Sequence, residues 1–204
     1  DDRIKVLHIE NGGQSRARNI GVKEASSDWI MFLDSDDYYD LRAVEYLVDL
    51  RDKYDVNLVV TSIIEVRDHK INSIGESFSL ENSKKLDKDE ALVQMFYGNS
   101  IGTSPGGKLY KKDILLKYPY PEGMIYEDLA IAYEHIAAGG EIAVGFIHLY
   151  KYYRRPGSTV NAAYSTKLLD FYKAMDCNRS YVKRDFSTNQ EMLRALNVRY
   201  VFNG

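Results

Sequence analysis

Apolar and polar positions along the chain alternate between strand-like runs and helix-like periods. Ile4, Val6, Leu7 and Ile9 predict a short strand entering Asn11-Gly12-Gly13. A helix then runs from Ser15 to about Glu24, with Ser15 placed to cap it and Ala17, Ile20, Gly21 and Ala25 as a small-residue packing face. The unbroken apolar run Trp29 to Leu33 cannot alternate between core and water, which predicts a central strand buried on both faces of a parallel sheet. Leu41, Val44, Leu47, Val48 and Leu50 recur at helical spacing, and Asp55 to Ile64 reads as a second buried strand. This β-α-β-α-β order is that of a doubly wound α/β sheet.

The second half is more irregular. Glu65 to Lys88 is polar and reads as a loop with one hairpin, followed by a helix from about Asp89 to Tyr97. Gly98 to Gly107 is a loop leading into a short strand at Lys108 to Tyr110. A helix opening at Glu127 runs to about Ala138 and stops at Gly139-Gly140. Strand character resumes from Ile142 to Leu149, an amphipathic helix spans about Thr166 to Lys183, and the remainder is mixed helix. The expected division is a domain over residues 1–160 and a helical extension over 161–204.

Composition narrows the class. At 204 residues with a net charge of −3, the chain is long enough for a sizeable core and lacks the basic face a nucleic-acid binder needs. The single cysteine, Cys177, forbids an internal disulfide or a cysteine-based zinc site and points to a reducing, cytoplasmic setting. His8, His69, His135 and His148 show no ligand spacing and read as structural. No apolar run is long enough to cross a bilayer. The Asp1-Asp2-Arg3 start has neither Met nor a signal-peptide hydrophobic stretch, so a piece of a longer, soluble chain is expected. The 17 tyrosines would suit sugar rings, and they suit a half-buried structural role equally.

Asp34, Asp36 and Asp37 follow the apolar run, where open α/β sheets bind ligands. Hard carboxylate oxygens at this density suit Mg²⁺ or Mn²⁺ holding a phosphorylated substrate. A calcium loop starting at Asp34 fails because Tyr39 stands where that loop needs Gly. An aspartyl phosphohydrolase would want Thr or Gly soon after the acids, where Asp37-Tyr38-Tyr39 stands. A solvated turn capping the next helix remains open. The phosphate-cradling use of Gly12-Gly13 and the following helix N-terminus is a further reading.

Glu127-Asp128 forms a second acidic spot. Carboxylates in a helix's first turn are stabilised by the macrodipole, and one could equally serve as a general base. Together, a metal-holding cluster and a proton-accepting one are what transfer of a group from a diphosphate to an alcohol requires. Lys151, Arg154 and Arg155, beside Pro156-Gly157, would supply basic side chains from a mobile loop, or else protect a solvated edge strand.

These segments in this order resemble the family 2 glycosyltransferases of the GT-A fold. The resemblance runs through Asn11 to Gly21, Trp29 to Asp37, Gly107 to Tyr110, Gly123 to Leu129 and Tyr152 to Ser158. It implies a GT-A, nucleotide-diphospho-sugar-transferase-like mixed sheet with a C-terminal helical extension, and a metal-dependent inverting sugar transfer. Asp34-Ser35-Asp36 would be the DXD motif, with Asp36 on a Mg²⁺ or Mn²⁺ ion and Asp34 on the ribose or a metal-bound water. Asp128 would be the base and Glu127 its orienting neighbour, while Arg18, Arg154, Arg155 and Ser158 would serve the nucleotide sugar. The implied partners are a nucleotide-diphosphate sugar and a saccharide or lipid-linked saccharide acceptor. The setting would be polysaccharide assembly in a bacterial cytoplasm, at the inner face of the membrane. By comparison with the family's domain, about fifty to sixty residues of an opening strand-helix-strand unit are expected ahead of Asp1. Without that unit, a folded sugar- or metal-binding remnant with little turnover is the alternative expectation.

Overall fold

A computed structural model describes residues 1–66, 78–154 and 169–202. The elements run α1 (Gly13–Glu24), β1 (Trp29–Ile30), β2 (Tyr38–Tyr39), α2 (Ala43–Tyr54), β3 (Leu58–Val66), β4 (Ser83–Leu86) and α3 (Lys88–Tyr97). They continue through β5 (Lys108–Lys111), α4 (Lys112–Lys117), α5 (Glu127–Gly139), β6 (Ile142–Tyr153), α6 (Asp170–Asp185) and α7 (Gln190–Phe202). The sheet order is β1-β5-β3-β6-β2, with β4 added against β6.

The sheet is mixed. β3 and β6 are parallel, whereas β1 with β5, β3 with β5, β2 with β6 and β4 with β6 are all antiparallel. The central strand is therefore β3, where Leu58, Val59 and Val60 are all buried because helices cover both faces. On one face Val59, Ala143 and Leu149 pack with Ala43, Leu47 and Leu50 of α2. On the other, Leu58, Val60 and Val144 join the larger cluster built from α3, α5, α6 and α7.

Two strand expectations are corrected. Residues 4–9 form no strand, and Ile4 and Val6 are 69% and 68% exposed, since among the described residues no ladder lies beside them. The run Trp29 to Leu33 yields only the two-residue β1, at the sheet edge and antiparallel to β5, and Leu33 is 57% exposed. Five apolar residues announce burial but name no neighbour, and here burial reaches only Ile30 in full.

The first helix also differs. Its N-cap is Gly12, without a side-chain cap, and it buries Ser15, Arg18 and Val22 while Ala17 and Gly21 face outward. Sequence periodicity served the later helices better. Asp87 and Glu90 close a capping box at the start of α3, and Gly98 ends it in the left-handed conformation. Within the expected polar loop, residues 67–77 lie outside the described residues, and β4 pairs with β6 rather than in a hairpin of its own. The helices α6 and α7 share the main core, contributing Phe171, Met175, Val182, Met192 and Leu196.

Candidate functional site

The acidic turn is suspended between β1 and β2 and tied by tyrosines from β6. Asp37 N–H returns to the Asp34 carbonyl at 3.1 Å, closing the turn. The Tyr150 hydroxyl accepts from Asp34 N–H at 3.2 Å and donates to Asp37 Oδ2 at 2.6 Å, while Tyr153 N–H donates to Asp37 Oδ1 at 2.9 Å. Both Asp37 oxygens are thus spent inside the protein. Burial pushes its pKa up, against the pull of the Tyr150 and Tyr153 hydrogen bonds. Asp37 is a strut of the turn.

The turn is held from a second side by the loop before β5. Tyr39 Oη accepts from Gly107 N–H at 2.9 Å and donates to the Phe32 carbonyl at 3.1 Å. Burial pushes the Tyr39 phenol up to about 12. Gly107 has φ +70°, and a Cβ on Gly106 would sit 2.6 Å from the Tyr150 ring. Gly106 is required by this close approach and Gly107 by its left-handed backbone.

Arg18 joins the two acidic spots. Only 8% of its side chain is exposed, and its guanidinium donates from Nη1 to Glu127 Oε1 at 2.7 Å and from Nη2 to Asp34 Oδ1 at 3.0 Å. Gln14, one turn earlier on α1, donates to the same Glu127 oxygen at 2.5 Å. Burial opposes the Arg18 charge, yet Asp34 and Glu127 outweigh it and raise its pKa above the ordinary value. The guanidinium also lies over the Tyr120 ring, 5.4 Å from its centroid.

Glu127 and Asp128 open α5, but their environments differ. Glu127 is 2% exposed, and its Oε2 is buried without a hydrogen-bond partner among the described residues. Asp128 is half-buried and accepts from Thr103 Oγ1 at Oδ2, at 3.3 Å. The residue before them, Tyr126, has φ +62°, an uncommon conformation for a bulky side chain. Its ring packs edge-on against Phe171 of α6, which holds the entry angle of the helix. Beside Arg18 and Asp34, an open groove of 580 Å³ runs between α1 and the segment Trp29 to Ser35.

The structure brings Arg18, Asp34 and Glu127 into direct contact, with Asp36 and Asp128 beside them in sequence. Among the described residues of the basic segment, the Lys151 and Arg154 side chains have partners outside the acidic turn. Lys151 is buried within β6 and donates to the His148 carbonyl at 2.8 Å, because that stretch is strand between β3 and β2, neither loop nor edge. Arg154 pairs with Glu65 at 3.3 Å. Arg155 and Ser158 lie outside the described residues. Sequence reading missed Gln14, Thr103 and Tyr150. Gln14 was findable, being four residues before Arg18 on one helix face. Nothing in the sequence signals the other two.

Among the described residues, no three His, Cys, Asp or Glu side chains converge as a metal cage. That donor set still fits a hard octahedral ion, which is usually held by one or two carboxylates with substrate phosphates and water completing the shell. No described helix is long and apolar enough to cross a membrane.

Comparison with known proteins agrees with this architecture. The sequence model of the family described as Glycosyl transferase family 2 matches residues 1–118. Glycosyltransferase GlyG of Streptococcus pneumoniae is 25% identical over 174 residues, covering 80% of this chain and 56% of GlyG. The minor teichoic acid biosynthesis protein GgaA of Bacillus subtilis is 37% identical over 79 residues, covering 35% of this chain and 18% of GgaA. The crystal structure of Staphylococcus aureus TarS 1-349 in complex with UDP-GlcNAc superposes with a TM-score of 0.72 at 21% identity, covering 96% of this chain and 55% of that one. The chain spans about half the length of GlyG and of that TarS structure.

Proposed function

The chain belongs to glycosyl transferase family 2 and has the GT-A fold, and from that premise we propose that it transfers a sugar from a nucleotide diphosphate to an acceptor hydroxyl with inversion at the anomeric carbon. The observation that supports this most is the bridge through Arg18, which sets a carboxylate of the acidic turn and one of the α5 N-terminus on a single guanidinium. One cleft then carries a place for the diphosphate and a place for the incoming alcohol.

Asp36 and Asp34 would hold a Mg²⁺ or Mn²⁺ ion, which when bound neutralises charge on the diphosphate leaving group. Arg18 aims the Asp34 carboxylate. On the other side Asp128 takes the proton of the acceptor hydroxyl as it attacks the anomeric carbon opposite the departing diphosphate. Glu127, locked by Arg18 and Gln14, keeps one buried oxygen to orient Asp128 or the acceptor. The sugar passes through an oxocarbenium-like transition state. The proposed donor class follows the UDP-GlcNAc bound to TarS, and a saccharide or lipid-linked acceptor of bacterial surface polymers follows the name of GgaA. Cytoplasmic action at the inner membrane face belongs to the same proposal.

The test uses the purified chain with uridine diphosphate sugars and Mn²⁺, following donor binding by calorimetry and transfer by release of UDP. Asp36→Ala should abolish metal-dependent donor binding. Asp128→Asn should leave donor binding intact and lower transfer at least about a hundredfold, the usual contribution of a general base. Full transfer by Asp128→Asn would remove the base assignment.

A further inference from the structure

The segment between α3 and β5 is clamped by a buried ammonium. Lys108 is 3% exposed, and its Nζ donates to the Gly102 carbonyl at 2.7 Å and also to the Ser104 carbonyl. These two carbonyls flank Thr103, the residue whose hydroxyl donates to Asp128. The clamp is itself braced: Gly106 N–H donates to Ser104 Oγ at 3.3 Å, and the N–H and hydroxyl of Thr61 both donate to the Gly107 carbonyl at 2.8 Å.

A lysine is a costly way to hold a loop. Taking an ammonium out of water costs several kcal/mol even after relaxation, and two carbonyl acceptors could have been satisfied by a neutral amide. Burial accordingly pulls the Lys108 pKa down to about 7, with the Asp128 charge acting in the opposite direction. The charged and polar groups that face Asp128 come from separate elements: Thr103 from the loop, Lys108 from β5, Arg199 from α7 and Tyr120 ahead of α5. Glu127 precedes it in the same helical turn.

We propose that Lys108 and Thr103 are positioning residues for Asp128: Lys108 fixes the loop, the Thr103 hydroxyl holds Oδ2, and the acceptor's proton is received at Oδ1. This rests on the reading of Asp128 as the base. The hydroxyl donates to one oxygen of the carboxylate and stops it rotating, so each turnover meets the same lone pair.

Thr103→Val removes the hydroxyl and keeps the shape. It should lower kcat about tenfold and leave the donor KM unchanged, since the base keeps its place but loses its fixed orientation. Thr103→Ser should restore kcat. Lys108→Met should act in the same direction by releasing the loop, and Thr103→Val keeps the question decidable if that variant fails to fold. Wild-type kcat in Thr103→Val, with Asp128→Asn inactive, would overturn the positioning role and spare the base. Full transfer by Asp128→Asn would overturn the base itself.

Discussion

Arg18 contributes more than charge to this molecule, because its planar fork reaches two carboxylates from separate parts of the chain at once. Lysine cannot do this, being a point donor on a flexible stem. Arg18→Met leaves Glu127, with 3% of its side chain exposed, without the cation it pairs with. Breaking a buried pair from one side costs about 3–5 kcal/mol, and urea denaturation should show a loss of that size. Arg18→Lys should recover part of the stability but not the alignment of Asp34, so its donor KM should stay raised. Tyr150 is the second pivotal residue. Tyr150→Phe strips Asp37 of a hydroxyl donor and Asp34 N–H of its acceptor while retaining the ring against Gly106. About 1–3 kcal/mol of stability should be lost, with metal-dependent donor binding weakened severalfold in calorimetry. A Tyr150→Phe protein that binds donor and Mn²⁺ like wild type would show that the acidic turn keeps its shape without this strut.

At the scale of elements, stability and site separate cleanly in α3 and meet in α5. The capping box of α3 satisfies backbone donors at Asp87 and Glu90, far along the chain from the acids. Asp87→Ala should cost about 1 kcal/mol in thermal or urea unfolding and leave kcat unchanged. The N-terminus of α5 has no side-chain cap and follows the left-handed Tyr126, so the strain sits where Glu127 and Asp128 are presented. Those features also show what was legible in the sequence. The helices α3 and α5 and the acidic pair opening α5 were readable because 3.6-residue periods, caps and terminal glycines are local signals. The run Trp29 to Leu33 announced a strand but not its partner, since pairing is decided by segments far away in sequence, here Tyr110 and Lys111. Lys108 and Lys151 are both buried, against the usual preference of lysine, and only a fold can show that carbonyls wait for them. The short α4 escaped notice because its six residues span less than two helical turns and leave no clear period.

At the scale of the whole molecule, stability towards acid involves a buried imidazole. His135 on α5 is 3% exposed, packed edge-on to Tyr110 and Tyr120, and its Nε2–H donates to the Tyr118 carbonyl at 2.7 Å. Burial pulls its pKa down from 6.5 to about 4, helped by the nearby Lys108 charge and opposed by the Tyr118 hydrogen bond. Between these two values the unfolded chain carries the proton and the folded one does not, so the unfolded state binds more protons and stability falls as the pH is lowered. The contribution is complete above pH 6.5 and lost as the pH drops towards 4. The total amounts to about 3 kcal/mol. Because Tyr110, Tyr120 and His135 form one cluster beneath Arg18, acid loosens the core directly under the site rather than at a remote edge. His135→Gln keeps a donor for the Tyr118 carbonyl and cannot titrate. Urea unfolding at pH 7 and pH 4.5 should therefore show a drop about 2–3 kcal/mol larger in the wild type than in His135→Gln. Equal drops in the two proteins would mean that the imidazole is already protonated, or reaches water, in the folded state.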